Sequence, residues 1–552
     1  MKKTQEPGWT RRLALAAGGA AALGLGYAAF RKPPGSGFHL SNASPRILQR
    51  GNAAEPTTLD PQKSTTSWED WIIGDLMIGL MHHDAAGNPV ACACESYRAS
   101  ADGLTYTIKL REHKWSDGTP VTADDYVFTL RRIGDPKTAA QYVSILYFIK
   151  NMQEAAEGKV RPEDVGVRAI DARTLEIQVL YQVPYIDQLL MHATMYATPR
   201  HVVEKYGDAW AQPGNYVSNG PFILKEWVPN GHVRVVKNPL FYDAANVHFD
   251  EIFYYPTQDS AAALKRFRAG ELDLSNRCPA YQEIPILRKV IPNELRITPI
   301  VSNYWLPVNC KRKPFSDLRV RQALAMSIDR ETLVNKVLRI GQTPGYTFVP
   351  PGMPSYPYSS YTFFRDLPHA ARQKKARALL RDAGFGPDNP LTFDLTMYNA
   401  VEWRLIAITL QAMWREVGIE MKPAPVDSQI LYDLLRKKDF DVASAGWIAD
   451  YRDPRNYLFL FLTSTTDLNY SQYSNSRYDQ LVANSDFIHD PVERQKTMAE
   501  AEQILLDEVG VITLMNDVTR DIVSPQVQNW ISNPTNFNRS RWLTLNRDIV
   551  SV

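Results

Sequence analysis

Apolar positions along most of this chain recur with one of two periods. Leu104, Tyr106, Ile108 and Leu110 alternate with polar residues in LTYTIKL, which predicts a half-buried strand. Leu175, Ile177 and Val179 repeat that pattern, as do Leu391, Phe393, Leu395 and Met397, and Val233–Val235 and Ile252–Tyr254 mark two more strands. The helical period lies between them. Thr122 to Asp125 forms a capping box that opens a helix with Tyr126, Leu130 and Ile133 on one face. Val320, Ala323, Leu324, Ser327 and Ile328 make a stripe beginning near Ser316-Asp317, and Ala376, Leu379 and Leu380 another, ended by Gly384. Asp490-Pro491 with Glu493 caps a helix carrying Met498, Ala501, Ile504 and Leu505. The Pro- and Tyr-rich segment from Gly345 to Tyr361 has no period and reads as a long ordered loop. Strands and helices interleave without an internal repeat, so the fold class is α/β, or mixed α+β, with mixed sheets.

Composition adds bounds to this picture. A chain of 552 residues has room for two or three domains with sizeable cores. Lys and Arg total 62 against 60 Asp and Glu, which gives no sign of a nucleic-acid or other polyanionic partner. The 27 Tyr and 12 Trp suit core packing and also binding clefts, where a rigid ring carries a hydrogen-bonding tip. Cys92-x-Cys94 lacks a second pair to complete a metal set, and Cys278 and Cys310 read equally as a disulfide or as free buried thiols. No P-loop, HExxH or GxSxG motif is present, and His82-His83, adjacent rather than one helical turn apart, reads as a surface pair. These readings imply no cofactor, no metal and no catalytic centre.

Lys2, Lys3, Arg11 and Arg12 precede an apolar run from Leu13 to Phe30, followed by Arg31-Lys32 and Pro33-Pro34, the layout of an export signal. Thr10-Arg11-Arg12-Leu13 is similar to a twin-arginine signal, and an uncut run of this length would just span a bilayer as an anchor. Residues 1–35 are therefore expected to direct the body of the chain out of the cytoplasm, to the periplasm.

One stretch, DFDVASAGWIADYRDP from Asp439 to Pro454, stands out for candidate chemistry. Phe440, Val442 and Ala443 suit a buried strand that meets Gly446-Trp447 and then a lone carboxylate, Asp450. Glycine admits a close backbone, tryptophan supplies a flat wall, and aspartate fixes a negative charge. Together they would hold a peptide by its backbone and α-amine. The same residues also describe a core strand with an ordinary Trp and a turn aspartate.

Five ordered blocks weigh that choice: RGNAAEPTTLDPQ (50–62), the run from Ser100 to Ala139 containing WSDGTPVTADDYVFTLRR, VSNGPFILKEW (217–227), PFSDLRVRQALAMSIDRETLVNKV (314–337) and AGWIADYRDP (445–454). In sequence and spacing the chain resembles, from about Leu48 to its end, the peptide-binding proteins of bacterial ABC importers (solute-binding protein family 5). The resemblance implies a three-domain Venus flytrap, with domain I from 45–77, 199–301 and 517–552, an accessory domain II at 78–198 and domain III at 302–516. It implies a monomeric, non-enzymatic receptor whose partners are a peptide ligand and inner-membrane permease subunits. By the same resemblance Asp450 pairs the peptide's amine, Gly446 and Ile448 bond its backbone, Trp447 walls a pocket, Tyr142 reaches in from the accessory domain, and Thr65 and Ser67 pair the peptide's other edge. Asn219-Gly220, Trp115, Asp117 and Gly118 are expected to be structural.

The chain departs from the family at the carboxyl end of the cleft. Ser444 stands where a relative has a carboxylate-holding arginine, and Pro307, beside Trp305, replaces a cleft glutamate. A histidine position aligns near Trp403 or Arg404, and a lysine position falls at Leu338, next to Arg339. Trp305 and Arg404 are accordingly candidate contacts. Two other readings stay open: the same fold holding a cell-wall peptide, metal chelate or haem (a neutral sugar would leave Asp450 nothing to neutralise), and, against the lack of a nucleophile–base signature, an exported peptide hydrolase.

Overall fold

The computed structural model describes Ser44 and residues 46–549, so the expected export segment lies outside the described residues. Alternation dictates the strands as read. In Leu391–Tyr398, Phe393, Leu395 and Met397 are buried while Thr392 and Asp394 are exposed. In the strand Thr105–Leu110 the inward residues are Tyr106, Ile108 and Leu110, and Leu104 falls just outside it, 37% exposed. Caps settle the helix starts. Asp125 accepts from the Thr122 N–H at 2.9 Å at the head of Ala123–Ile133, and Asp490 accepts from the Glu493 N–H at 2.8 Å at the head of Pro491–Asp507.

Most of these elements form two bodies and a module. In the first body seven strands lie in the order 295–296, 521–523, 274–275, 47–51, 251–255, 232–237, 222–228. Ile47–Gly51 pairs in parallel on both sides, with Ile47 opposite Glu251 and Gly51 opposite Ser275. A four-stranded antiparallel sheet made from 94–99, 105–110, 174–178 and 167–171 shares one continuous apolar core with part of this body. The second body carries an antiparallel sheet in the order 343–344, 512–518, 299–306, 445–448 and a parallel one in the order 419–426, 391–398, 442–443. Its cores gather around Leu324, Leu395 and Trp414, and around Phe348, Tyr457 and Leu505.

The chain passes between the bodies at two neighbouring places. Leu295–Arg296 belongs to the first sheet and Pro299–Leu306 to the second; Ile512–Val518 belongs to the second and Asp521–Val523 to the first. The two connections are tied together, the Thr519 N–H donating to the Thr298 carbonyl at 2.7 Å and the Thr298 N–H to the Thr519 hydroxyl at 3.2 Å. Short paired crossings of this kind make a hinge.

Two sequence readings change here. His82 and His83 are not a surface pair: they are 1% and 5% exposed, His82 Nε2 lies 3.0 Å from the Gly74 carbonyl, and the His83 ring packs on Phe537. Burial, then the neighbouring Arg539 charge, pushes both imidazoles well below their ordinary range. Cys278 and Cys310 are free thiols, as are Cys92 and Cys94; Cys278 packs with Tyr281 and Ile284 in a core of the first body.

Candidate functional site

The run from Asp439 to Pro454 passes from one sheet of the second body to the other. Phe440, Val442 and Ala443 are buried, and Val442–Ala443 pairs in parallel with Leu395–Thr396. Ser444 donates its N–H to the Thr396 carbonyl and accepts the Tyr398 N–H on its hydroxyl at 3.0 Å. On the opposite side the run follows Pro299–Leu306: Ala443 donates to the Pro307 carbonyl, Trp447 lies opposite Asn303, and Ala449 donates to the Val301 carbonyl. The two-residue period of a strand therefore turns the main-chain groups of Ala445 and Trp447 toward that neighbour and those of Gly446 and Ile448 away from it. Past Ser444 no strand flanks that second side among the described residues, and Ala445–Ile448 is the outer strand of its sheet. Gly446 and Ile448 thus present donors and acceptors on an open edge.

Gly446 is small for a different reason from the one its sequence suggests. A Cβ there would lie 2.6 Å from Cδ1 of Tyr304, the residue opposite it. Glycine makes room for that ring across the sheet. Trp447 is half-buried, with its ring 6.1 Å from Phe459 and its indole N–H donating to Asn456 Oδ1 at 2.9 Å.

Asn456 also organises Asp450. Its Oδ1 accepts the Asp450 N–H at 3.1 Å and its Nδ2 donates to Asp450 Oδ2 at 3.1 Å. The other carboxylate oxygen accepts from the Tyr142 hydroxyl at 2.6 Å, so a residue far away in sequence closes over the site. The Tyr142 ring stacks on His192 with centroids 5.5 Å apart. Burial pushes the Asp450 carboxyl above its usual range, against the lowering pull of His192, Tyr142 and Asn456. Burial, then the Asp450 charge, pushes the Tyr142 phenol well up, while burial pushes the His192 imidazole down. Among the described residues no Lys, Arg or His nitrogen lies within 4.0 Å of the Asp450 carboxylate. Asp453 differs: Arg494 holds it with two bonds of 2.7 and 3.0 Å inside the protein.

Further contacts close this end. Tyr451 stacks on Tyr185 at 4.5 Å and 3°, and the Arg452 guanidinium reaches Asn88 Oδ1 at 2.9 Å. In the first body, Ser64 to Thr66 wraps around Glu69, whose buried carboxylate accepts the N–H groups of Thr65 and Thr66 at 3.1 and 3.2 Å. Thr65 is exposed with its N–H already taken, and Ser67 is the first residue of the helix Ser67–Leu76 rather than part of an extended edge.

The remaining candidates fall elsewhere. Trp305 is 3% exposed and packs at 5.3 Å on Phe348, which makes it core behind the cleft strand and corrects its placing as a cleft contact; Pro307 is buried too. Arg404 is exposed and directs Nε and Nη2 at Asn399 Oδ1, 3.0 and 2.6 Å away. Arg339 is exposed on a left-handed turn with φ of 62°. Asn219 and Gly220 are structural: Asn219 accepts the Ile78 N–H, and a Cβ on Gly220 would meet the Leu76 backbone at 2.6 Å. The sequence carried no signal for Asn456 or His192, because each acts through a neighbour that only folding supplies. No group of three or more metal-ligating side chains occurs among the described residues.

Two bodies on a paired hinge, with an open strand edge and a desolvated carboxylate at its end, define a binding protein that closes on its ligand. Residues 88–469 match the profile "Bacterial extracellular solute-binding proteins, family 5 Middle", and the chain belongs to that family. It is 34% identical over 528 residues to the periplasmic oligopeptide-binding protein OppA of Salmonella typhimurium, covering 94% of this chain and 95% of the relative. Its structure is similar to Haemophilus influenzae OppA in complex with RPPGFSPFR, with a TM-score of 0.82, 32% identity, and coverage of 92% of this chain and 100% of that one. The Escherichia coli murein tripeptide binding protein MppA gives a TM-score of 0.83 at 30% identity, covering 91% and 99%. The unliganded open form of MppA gives 0.74, a poorer fit that accords with the contacts closing over Asp450 here.

Proposed function

We propose that this chain is an exported receptor that captures an oligopeptide between its two bodies and delivers it to the permease of an ABC importer. One observation carries the reading: Asp450 is a desolvated carboxylate without a cationic partner among the described residues, at the end of an open strand edge. A peptide α-amine supplies the missing charge, and its backbone supplies the missing strand. Gly446 and Ile448 bond that backbone, Trp447 walls a side-chain pocket, and Tyr142 closes over the amine. Thr65 flanks the other edge, and Ser67 anchors that segment as a helix start. The names of the relatives, all binding proteins, support a non-enzymatic role.

The receptor is divided into domain I (45–77, 199–301 and 517–552), accessory domain II (78–198) and domain III (302–516), and chain crossings near residues 298 and 519 support a division between two bodies. The receptor acts as a periplasmic monomer with one ligand per chain, exported through its twin-arginine-like segment. Replacing Arg11 and Arg12 together with Lys should leave precursor inside the cell; normal export would place it on the general secretory route. Native mass spectrometry of the purified protein tests the capture itself. The expected result is a bound mass that is released on denaturation and fragments as a peptide. A ligand-free protein that also gives no heat with mixed oligopeptides would overturn the reading.

A further inference from the structure

The far end of the cleft strand carries a second charged group, whose part in binding depends on the cleft holding a peptide. Tyr304 lies opposite Gly446. A chain with its amine at Asp450, running antiparallel to Ile448 and Gly446, therefore arrives at Tyr304 about 13 Å on, at roughly its third to fifth residue. Two guanidiniums lie within electrostatic reach of Tyr304. Arg277 follows the first-body strand Leu274–Ser275; its backbone is left-handed at φ of 55° and its N–H is held by Asp521 at 3.1 Å. Its guanidinium lies 5.9 Å from the Trp68 ring, and its charge is felt at Tyr304 and Tyr432 of the second body. Arg520, on the hinge, stacks 4.1 Å over Tyr281.

Among the described residues neither arginine has a carboxylate within 4.0 Å. Two acids share the space, Asp517 and Glu402, and both act on Arg520 through its field. Asp517 is half-buried: burial pushes its carboxyl up, against the lowering pull of Arg520, Arg277 and a Tyr304 hydrogen bond, and its Oδ1 has no hydrogen-bond partner. The buried Trp68 indole N–H is likewise without a partner. Guanidiniums stay charged throughout the ordinary pH range and match a carboxylate with paired donors. By contrast Ser444 is spent on Tyr398 and Thr396, and Arg404 on Asn399.

We propose that Arg277, with Arg520 behind it, is the anion-receiving subsite of this cleft, so that the receptor prefers peptides bearing a carboxylate near the third to fifth residue, either the chain's own terminus or an acidic side chain.

Titration calorimetry on the full chain tests this with Ala-Ala-Ala-Ala, its carboxyl amide, and the amide of Ala-Ala-Glu-Ala, against wild type, Arg277→Gln, Arg277→Lys, Arg520→Gln and Arg404→Gln. Wild type should bind the plain amide about tenfold or more weakly than a carboxylate-bearing form, the weight of one charge-assisted bond. Rescue by the glutamate identifies a side-chain carboxylate; preference for the free tetrapeptide identifies the terminus. Arg277→Gln should abolish the discrimination, Arg520→Gln reduce it, Arg277→Lys keep part of it, and Arg404→Gln leave it intact. A folded Arg277→Lys with wild-type melting shows that a loss in the glutamine variant is not misfolding. Wild-type discrimination surviving in both glutamine variants, or none in wild type, overturns the subsite while leaving peptide capture standing. No binding of any of the three peptides to wild type overturns both.

Discussion

Asp450 and Asp453 lie three residues apart in one turn and meet opposite fates. Arg494 neutralises Asp453 inside the protein, whereas Asp450 receives only neutral donors from Tyr142 and Asn456. A carboxylate so placed favours a cation that the folded chain does not itself supply. The pH dependence follows from its raised range. Protonated Asp450 cannot pair an ammonium, so affinity for a free peptide is complete above that range and falls as pH drops through it, while an N-acetylated peptide shows no such fall. Calorimetry on both peptides over a descending pH series from 8 checks this, and parallel profiles would contradict it. Gly446 gives a second residue-level expectation. Gly446→Ala drives a methyl into the Tyr304 ring and should lower stability by about 1–3 kcal/mol in urea unfolding; an unchanged midpoint would show that the ring yields freely.

At the scale of elements, the loop from Gly345 to Tyr361 has no strand or helix of its own, yet its backbone is anchored. Glu502, buried on the helix Pro491–Asp507, accepts the N–H groups of Phe348 and Val349 at 2.6 and 2.7 Å and the Tyr356 hydroxyl at 2.6 Å. Burial pushes its carboxyl up to about 7, against the lowering pull of those three bonds. A carboxyl raised above its unfolded value of 4.5 favours the folded state at low pH, and that contribution is lost as pH climbs through about 7. Relative to wild type, Glu502→Gln should therefore gain stability by about 3 kcal/mol between pH 4.5 and 8. Equal slopes in denaturant melts would contradict it.

The elements also show what the sequence could tell. Caps such as Asp490-Pro491 and alternations such as Leu391 to Met397 are local physics, and they were legible. The loop was legible as ordered, but its anchor 150 residues away was not. Two-residue strands such as Leu274–Ser275 and Leu295–Arg296 are too short to have a period, and they complete the first sheet. His82-His83 misled because adjacency says nothing of burial. In the candidate site, Asp450, Trp447 and Tyr142 were singled out through resemblance. Arg277 and Arg520 were not, because neither belongs to a motif and only the hinge brings them to Tyr304.

At the scale of the molecule, the connections at Thr298 and Thr519 are close together and bonded to each other, the arrangement of one hinge rather than two. Tyr142 sits on Asp450 and Arg452 on Asn88, and the similar protein MppA also has an unliganded open form. Saturating peptide should therefore shrink the radius of gyration in solution scattering, with one peptide bound per chain. It should also perturb tryptophan fluorescence, and Trp447→Phe should lose much of that change; an unaltered signal in wild type would remove Trp447 from the cleft wall.

The proposed peptide capture rests on one charge pair, and its most direct test is a calorimetric cycle on wild type and Asp450→Ala with a single tetrapeptide, free and N-acetylated. Leaving a closed-cleft charge without its partner costs about 3–5 kcal/mol, so wild type should prefer the free peptide by at least about a hundredfold. In the variant the free peptide should weaken far more than the acetylated one, bringing the two affinities within about threefold of each other. A variant that keeps the wild-type preference for the free amine would show that the amine is held elsewhere, and that Asp450 is not the anchor of this cleft.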